Sequence, residues 1–167
     1  MIFETVEFLA KEIEKYIHHI TNNTEIPVSI KIGQVASAAE SNAHNNFGQL
    51  TLVNIGEEKL PTLQTSNNPE NNNGVATNLN LYVLLSFHQP AYGDALKCLG
   101  SSVSFFQHQP IFSRETNPNI PDTLQQIIVE HYSLNLEQQH HLWSTIGVPY
   151  KPSVLYRVRV KAIPNLS

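Results

Sequence analysis

The spacing of apolar residues along the chain predicts three amphipathic helices. Over Ile2–Ile20 the apolar positions recur at steps of three and four residues, as they do on one face of a helix. The same spacing recurs over Tyr92–Gln107. A third helix is predicted to begin at Asn135, because Asn135 and Gln138 have the spacing of a capping box, and to end at Gly147.

Five other segments have the composition and the alternation of β-strands. In Leu79–Phe87 both sets of alternate positions are apolar, which predicts a strand buried in the middle of a sheet. Val154–Lys161 alternates apolar residues with a set that is largely basic, so the last strand is predicted to have one basic face. The five predicted strands are Val28–Ile32, Leu50–Ile55, Leu79–Phe87, Leu124–Leu134 and Val154–Lys161.

The order of these elements predicts an α+β fold. Because the first strands follow each other directly, a parallel doubly wound sheet is disfavoured. We expect an antiparallel or mixed sheet of about five strands with about three helices packed against it. A length of 167 residues favours one domain, residues 1–167. Residues 57–78, rich in asparagine and containing two prolines, are predicted to form a flexible loop.

Charge and cysteine content exclude several classes of function. The net charge is -4 and the pI is about 6.0, so no basic field attracts nucleic acid or an anionic membrane, and neither is expected as a partner. Cys98 is the one cysteine, so no disulfide can form within the chain. Glu4 and Glu7 stand where a secretory signal carries basic residues, and no export signal is predicted.

The eight histidines raise the possibility of a metal site. His18-His19 and His140-His141 are neighbours on predicted helices, where consecutive side chains diverge by about 100° and cannot chelate one ion alone. A His-rich metal-binding protein therefore stays a remote alternative to a solvated helix face, and no metal is predicted. The residues on which that alternative depends are Glu130, His131, Glu137, His140 and His141.

No motif for catalysis or for a cofactor is present. The sequence lacks the GxSxG, GxGxxG and P-loop patterns, and Cys98 lies within an apolar helical pattern that is typical of a core residue. Trp143, Phe105 and Phe106 also fall in such patterns and are predicted to be core residues. The chain is therefore predicted to be neither an enzyme nor a binder of a cofactor or small-molecule substrate.

The basic strand supplies the candidate interaction site. Three basic side chains on one strand are commonly a solvated face or protect a sheet edge. Here Leu155 is expected to be exposed beside them, which favours a contact with another protein. The candidate protein-interaction residues are Lys151, Leu155, Arg157, Arg159 and Lys161.

Three blocks of sequence resemble the tail-terminator, or cap, family of phage-tail-like contractile injection systems, of the antifeeding-prophage and virulence-cassette type. The strongest is HLWSTIGVPYKPSVLYRVRV at His141–Val160, with its Leu-Trp helix end and Pro-Ser-Val-x-Tyr-x-Val-Arg strand. NLNLYVLLS at Asn78–Ser86 and the segment Tyr92–Phe112 are also similar to the family's pattern.

The resemblance implies a structural role and a set of partners. A protein of this family would form a ring, expected to be a hexamer, on the distal end of the inner tube and sheath, and would end their polymerisation. The chain would be cytoplasmic during assembly and then a component of the particle. Another tail adaptor or a baseplate ring is the alternative role for the same fold.

Overall fold

The computed structural model describes residues 1–21, 28–35, 46–57 and 78–163. This part of the chain contains three helices and six strands. The helices are α1 (Ile2–Ile20), α2 (Tyr92–His108) and α3 (Leu136–Ile146), and the strands are β1 (Ser29–Ile32), β2 (Phe47–Glu57), β3 (Asn78–His88), β4 (Ile111–Ser113), β5 (Leu124–His131) and β6 (Ser153–Ala162). All three predicted helices and all five predicted strands are confirmed.

The strands form one mixed sheet in the order β1-β2-β3-β6-β5-β4. β1 pairs with β2 in parallel, and the other four pairs are antiparallel. The predicted α+β class is confirmed, and β3 has the predicted central position. The sixth strand, β4, was not predicted, because Ile111–Ser113 is too short to show alternation.

One face of the sheet, which we call the inner face, carries helices α1 and α2. Successive residues of a strand point to opposite faces, so Leu81, Val83 and Leu85 of β3 share this inner face. They belong to one buried cluster with apolar residues of α1, α2, β5 and β6. Cys98, Phe105 and Phe106 lie in the same cluster, which confirms their prediction as core residues.

Helix α3 packs on the opposite, outer face of the sheet. It begins as predicted, since Asn135 Oδ1 accepts from the Gln138 N–H at 2.8 Å and Gln138 Oε1 accepts from the Asn135 N–H at 3.0 Å. It ends at Gly147, whose φ of 78° is left-handed. Trp143 is buried as predicted, and its side chain packs with Leu84 and Leu155 beneath the helix.

The predicted asparagine-rich loop falls largely outside the described residues. Strands β2 and β3 take in its end residues, Glu57 and Asn78, and 58–77 lies outside the description. Within the described ranges, none of the helices is long and apolar enough to cross a membrane.

Candidate protein-interaction surfaces

The predicted basic face of β6 lies on the outer face of the sheet. In the antiparallel register, Arg157 is opposite Tyr82 of β3 and Arg159 is opposite Asn80. Directly opposed residues point to the same side of a sheet, so these four side chains share the outer face. The two arginines are half-buried, and Lys161, further along the strand, is exposed.

Glu130 of β5 binds both arginines. Arg157 donates from Nε at 2.9 Å and from Nη2 at 2.7 Å to Glu130 Oε2, and Arg159 Nη2 donates to Glu130 Oε1 at 2.5 Å. Burial by itself raises the pKa of the Glu130 carboxyl, but the hydrogen bonds and charges of the arginines outweigh this and hold its pKa below the ordinary value. The three side chains, which we call the ion cluster, carry a net charge of about plus one.

Leu155 is not exposed, and the expectation that it would be is wrong. Its side chain is only 7% exposed, in a cluster with Leu84 and Trp143. Leu155 has the same orientation as Arg157, but α3 covers the strand at Leu155 and leaves it open at Arg157. Leu155 is therefore a residue of the core beneath α3 and offers no surface to a partner.

The remaining two candidate residues lie towards opposite ends of β6. Lys151 precedes the strand and Lys161 is near its end, and from Ser153 to Lys161 a strand extends by roughly 25 Å. Lys151 acts on another residue, because its charge contributes to lowering the pKa of the buried His88. The structure thus brings Arg157 and Arg159 together with Glu130, and keeps Lys151 apart from them.

The residues of the metal hypothesis are separated. Glu130 and His131 are successive on β5 and point to opposite faces, with Glu130 bound to the arginines and His131 near the ring of Tyr156 at 6.3 Å. The rings of His140 and His141 lie 6.1 Å apart on α3. Across the described segments, no group of three His, Cys, Asp or Glu residues could hold a metal ion.

Two apolar hollows were not predicted from the sequence. One, of about 530 Å³, lies against α3 and includes Leu136, which is 85% exposed, and Tyr150. The other, of about 450 Å³, lies between the start of α1 and strands β1 and β2. Phe3, 65% exposed, is part of the second. Phe3 stands three residues before the buried Val6, so the spacing of apolar positions in α1 did not single it out as exposed.

Comparison with known proteins gives a family and a fold. Residues 4–165 match the family model of the Pvc16 N-terminal domain. No curated protein matches the chain by sequence. Among solved structures it is similar to the sheath/tube terminator of an extracellular contractile injection system, PVC, in the extended state, with 13% identity and a TM-score of 0.56. It is also similar to the anti-feeding prophage cap, described as a tube terminating cap, with 14% identity and a TM-score of 0.52.

The two structural matches cover nearly all of this chain but only part of the other proteins. Each covers 89% of this chain, and they cover 54% and 53% of the terminator and the cap, so the chain spans about half the length of both. At these identities the likeness concerns the fold. It confirms the tail-terminator-like architecture that the sequence blocks predicted.

Proposed function

The chain belongs to the Pvc16 N-terminal domain family, and we propose that it is a structural, non-enzymatic subunit of a cap on a contractile injection particle. In this role it binds the last ring of the inner tube and the sheath and stops both from growing. The observation that carries the proposal is the family match over residues 4–165, supported by the fold shared with two terminator proteins.

A ring provides the physical mechanism for termination. Head-to-tail contacts that close under rotation give a ring with two unlike faces, and we expect six subunits. One face of the ring can match the last ring of tube, while the other presents no surface on which a further tube subunit can dock. The subunit itself has unlike sides, with α1 and α2 on the inner face of its sheet and α3 on part of the outer face.

We assign the ion cluster and Lys161 to a contact with a neighbouring subunit. Two arginines share one glutamate there, so the site is positive on a chain whose net charge is -4. A positive site of this kind favours an acidic surface on the partner and steers its approach. Lys151 stays a predicted contact residue on a separate part of the surface.

Particles made without this protein test the proposal. Negative-stain microscopy should then show tubes and sheaths of variable or excessive length, and the gene supplied in trans should restore a uniform length. Uniform, normal particles in its absence would rule out termination. Immunogold labelling decides the position, since label at the baseplate end would assign the chain to an adaptor or baseplate ring.

A further inference from the structure

Strand β1 ends the sheet, and one side of its main chain has no strand beside it among the described strands. Gly33, directly after β1, donates its N–H to Leu50 O of β2 at 3.1 Å. Successive residues of a strand direct their N–H and C=O groups to opposite sides, so Val28 and Ile30 direct theirs away from β2. A main-chain edge of this kind is a template for pairing with another strand.

Two side chains of helix α1 bind the main chain on this outer side of β1. The Ile30 N–H donates to Glu14 Oε2 at 2.7 Å. His18 Nε2 lies 2.7 Å from the carbonyl oxygen of Val28. Because a carbonyl oxygen only accepts, His18 Nε2 carries the proton in this hydrogen bond. One donor and one acceptor of the edge are therefore bound by side chains of the same chain.

The spacing of the two helical residues matches the spacing of the strand groups that they bind. Glu14 and His18 are four positions apart, so they share one side of α1 and lie about 6 Å apart along its axis. The two strand residues are two positions apart, which is about 6.6 Å. Ile13 and Ile17, each directly before one of the two helical residues, are fully buried. The core thus holds α1 where both hydrogen bonds form together.

We propose that Glu14 and His18 form an edge block, which keeps β1 from pairing with β1 of a second copy of this chain. A second copy presents the same edge, and two copies related by a two-fold axis would pair their β1 strands antiparallel. The Ile30 N–H and the Val28 carbonyl would then have to bind the other copy, but both are bound within their own chain. Pairing would first have to break these two hydrogen bonds.

Strand β1 needs this protection because its sequence favours pairing. Ile30 and Ile32 alternate with Ser29 and Lys31, and Ile32 is 39% exposed. Lysine protects many sheet edges, but the ammonium of Lys31 lies 4.5 Å from the centre of the Phe47 ring, over the outer face of the sheet. Pairing of two like edges closes a pair of subunits, whereas a ring needs unlike contacts. In the ring proposed above, the edge block therefore removes a competing contact.

Amide hydrogen exchange tests the edge block residue by residue on the purified full chain. Glu14→Gln keeps an oxygen acceptor, whereas Glu14→Met has a similar length and no such acceptor. The Ile30 amide should exchange at least roughly tenfold faster in Glu14→Met than in Glu14→Gln, because only glutamine can hold it. The Lys31 amide points to β2 and is the internal control, so its exchange rate should differ less than about twofold.

Two double variants on the same helix test the effect on self-association. Glu14→Ala with His18→Ala removes the edge block, and Glu7→Ala with Lys11→Ala removes an ion pair of 3.1 Å that has the same four-residue spacing. In sedimentation velocity the first should associate at a concentration at least roughly tenfold lower than the wild type, and the second within about twofold of it. In the associated form the Ile30 amide should exchange slowly again, because the second copy accepts from it.

Three results would overturn the inference. They are equal exchange of the Ile30 amide in Glu14→Gln and Glu14→Met, equal association of the two double variants, and association that leaves the Ile30 amide in fast exchange. Thermal transitions show which variants are folded, and His18→Ala alone replaces the first double variant if that one does not fold. Because these measurements need no particle, their failure leaves the capping role untouched, and failure of that role leaves the edge block standing.

Discussion

Leu155 and Arg157 show how differently two halves of one sheet face are used. The two residues are two positions apart on β6 and point to the same, outer side. At Leu155 the face is covered by α3 and apolar, with Leu84 and Trp143 beneath the helix. At Arg157 the face is open and holds the ion cluster. The side chains on the outer face of β6 therefore belong to the core at one end of the strand and to the surface at the other.

A pair of tyrosines marks the boundary between the halves. Tyr82 of β3 lies between Leu84 in the covered half and Asn80 in the open half, and its ring meets the ring of Tyr132 edge-on at 5.2 Å. Tyr82 packs against the apolar cluster of the covered half and stands opposite Arg157 of the open half. The covered half depends on packing and the open half on charge, and the two respond to different perturbations.

The largest effect is expected from emptying the covered half. Trp143→Ala should destabilise the chain by about 3 to 5 kcal/mol, because the indole is buried and fills the space between α3, Leu84 and Leu155. Leu136→Ala on the same helix is the control and should change the free energy of unfolding by less than about 0.5 kcal/mol, since Leu136 is 85% exposed. Urea unfolding measures both, and equal effects would contradict the packing of α3 through Trp143.

Acid should weaken the packing around His88 before it weakens the open half. His88 lies on the outer face of β3, buried and stacked on Phe47 with ring centroids 4.6 Å apart. Burial, and to a smaller degree the charge of Lys151, lowers the pKa of His88 from 6.5 to about 4. The unfolded chain therefore binds the proton first, and stability should fall by roughly 3 kcal/mol as the pH drops from 6.5 to 4.

The open half responds at lower pH, because the pKa of Glu130 lies below its ordinary value of 4.5. Its contribution is present above that value and is lost as the pH falls through the lowered pKa. The free energy of unfolding is measured against pH for the wild type and for His88→Phe. Between pH 6.5 and 4 it should fall less steeply in His88→Phe than in the wild type. Identical slopes in the two proteins would remove His88 as the cause.

The smallest effect is expected from charge changes in the open half. Arg157→Glu places a second carboxylate beside Glu130 and should cost about 1 kcal/mol, since solvent screens side chains that are a third exposed. Combining it with Glu130→Arg and Arg159→Glu inverts all three charges of the ion cluster, restores both opposite-charge pairs across the strands and should recover most of this loss. Thermal unfolding compares the single and triple variants, and a triple variant no more stable than the single one would show that the ion cluster does not stabilise the fold.

The three helices, five of the six described strands and the central position of β3 could be predicted from the sequence. These features follow from local spacing, because side chains return to the same side about every 3.6 residues in a helix and every second residue in a strand. The capping box at Asn135 and the basic face of β6 were also predictable, since each is contained within one segment. The family resemblance rested on blocks of the same kind.

Which parts of each sheet face are covered could not be predicted from the sequence and depends on the tertiary fold. Alternation gives Leu155 and Arg157 the same direction, but whether a side chain is buried depends on an element that packs there from elsewhere in the chain. Glu130 binds Arg157, which lies 27 positions further along the chain, and β1 pairs only with Phe47–Leu50, the first four residues of β2. Such contacts are set by the balance of all the packing in the fold, and no periodicity within a single strand encodes them.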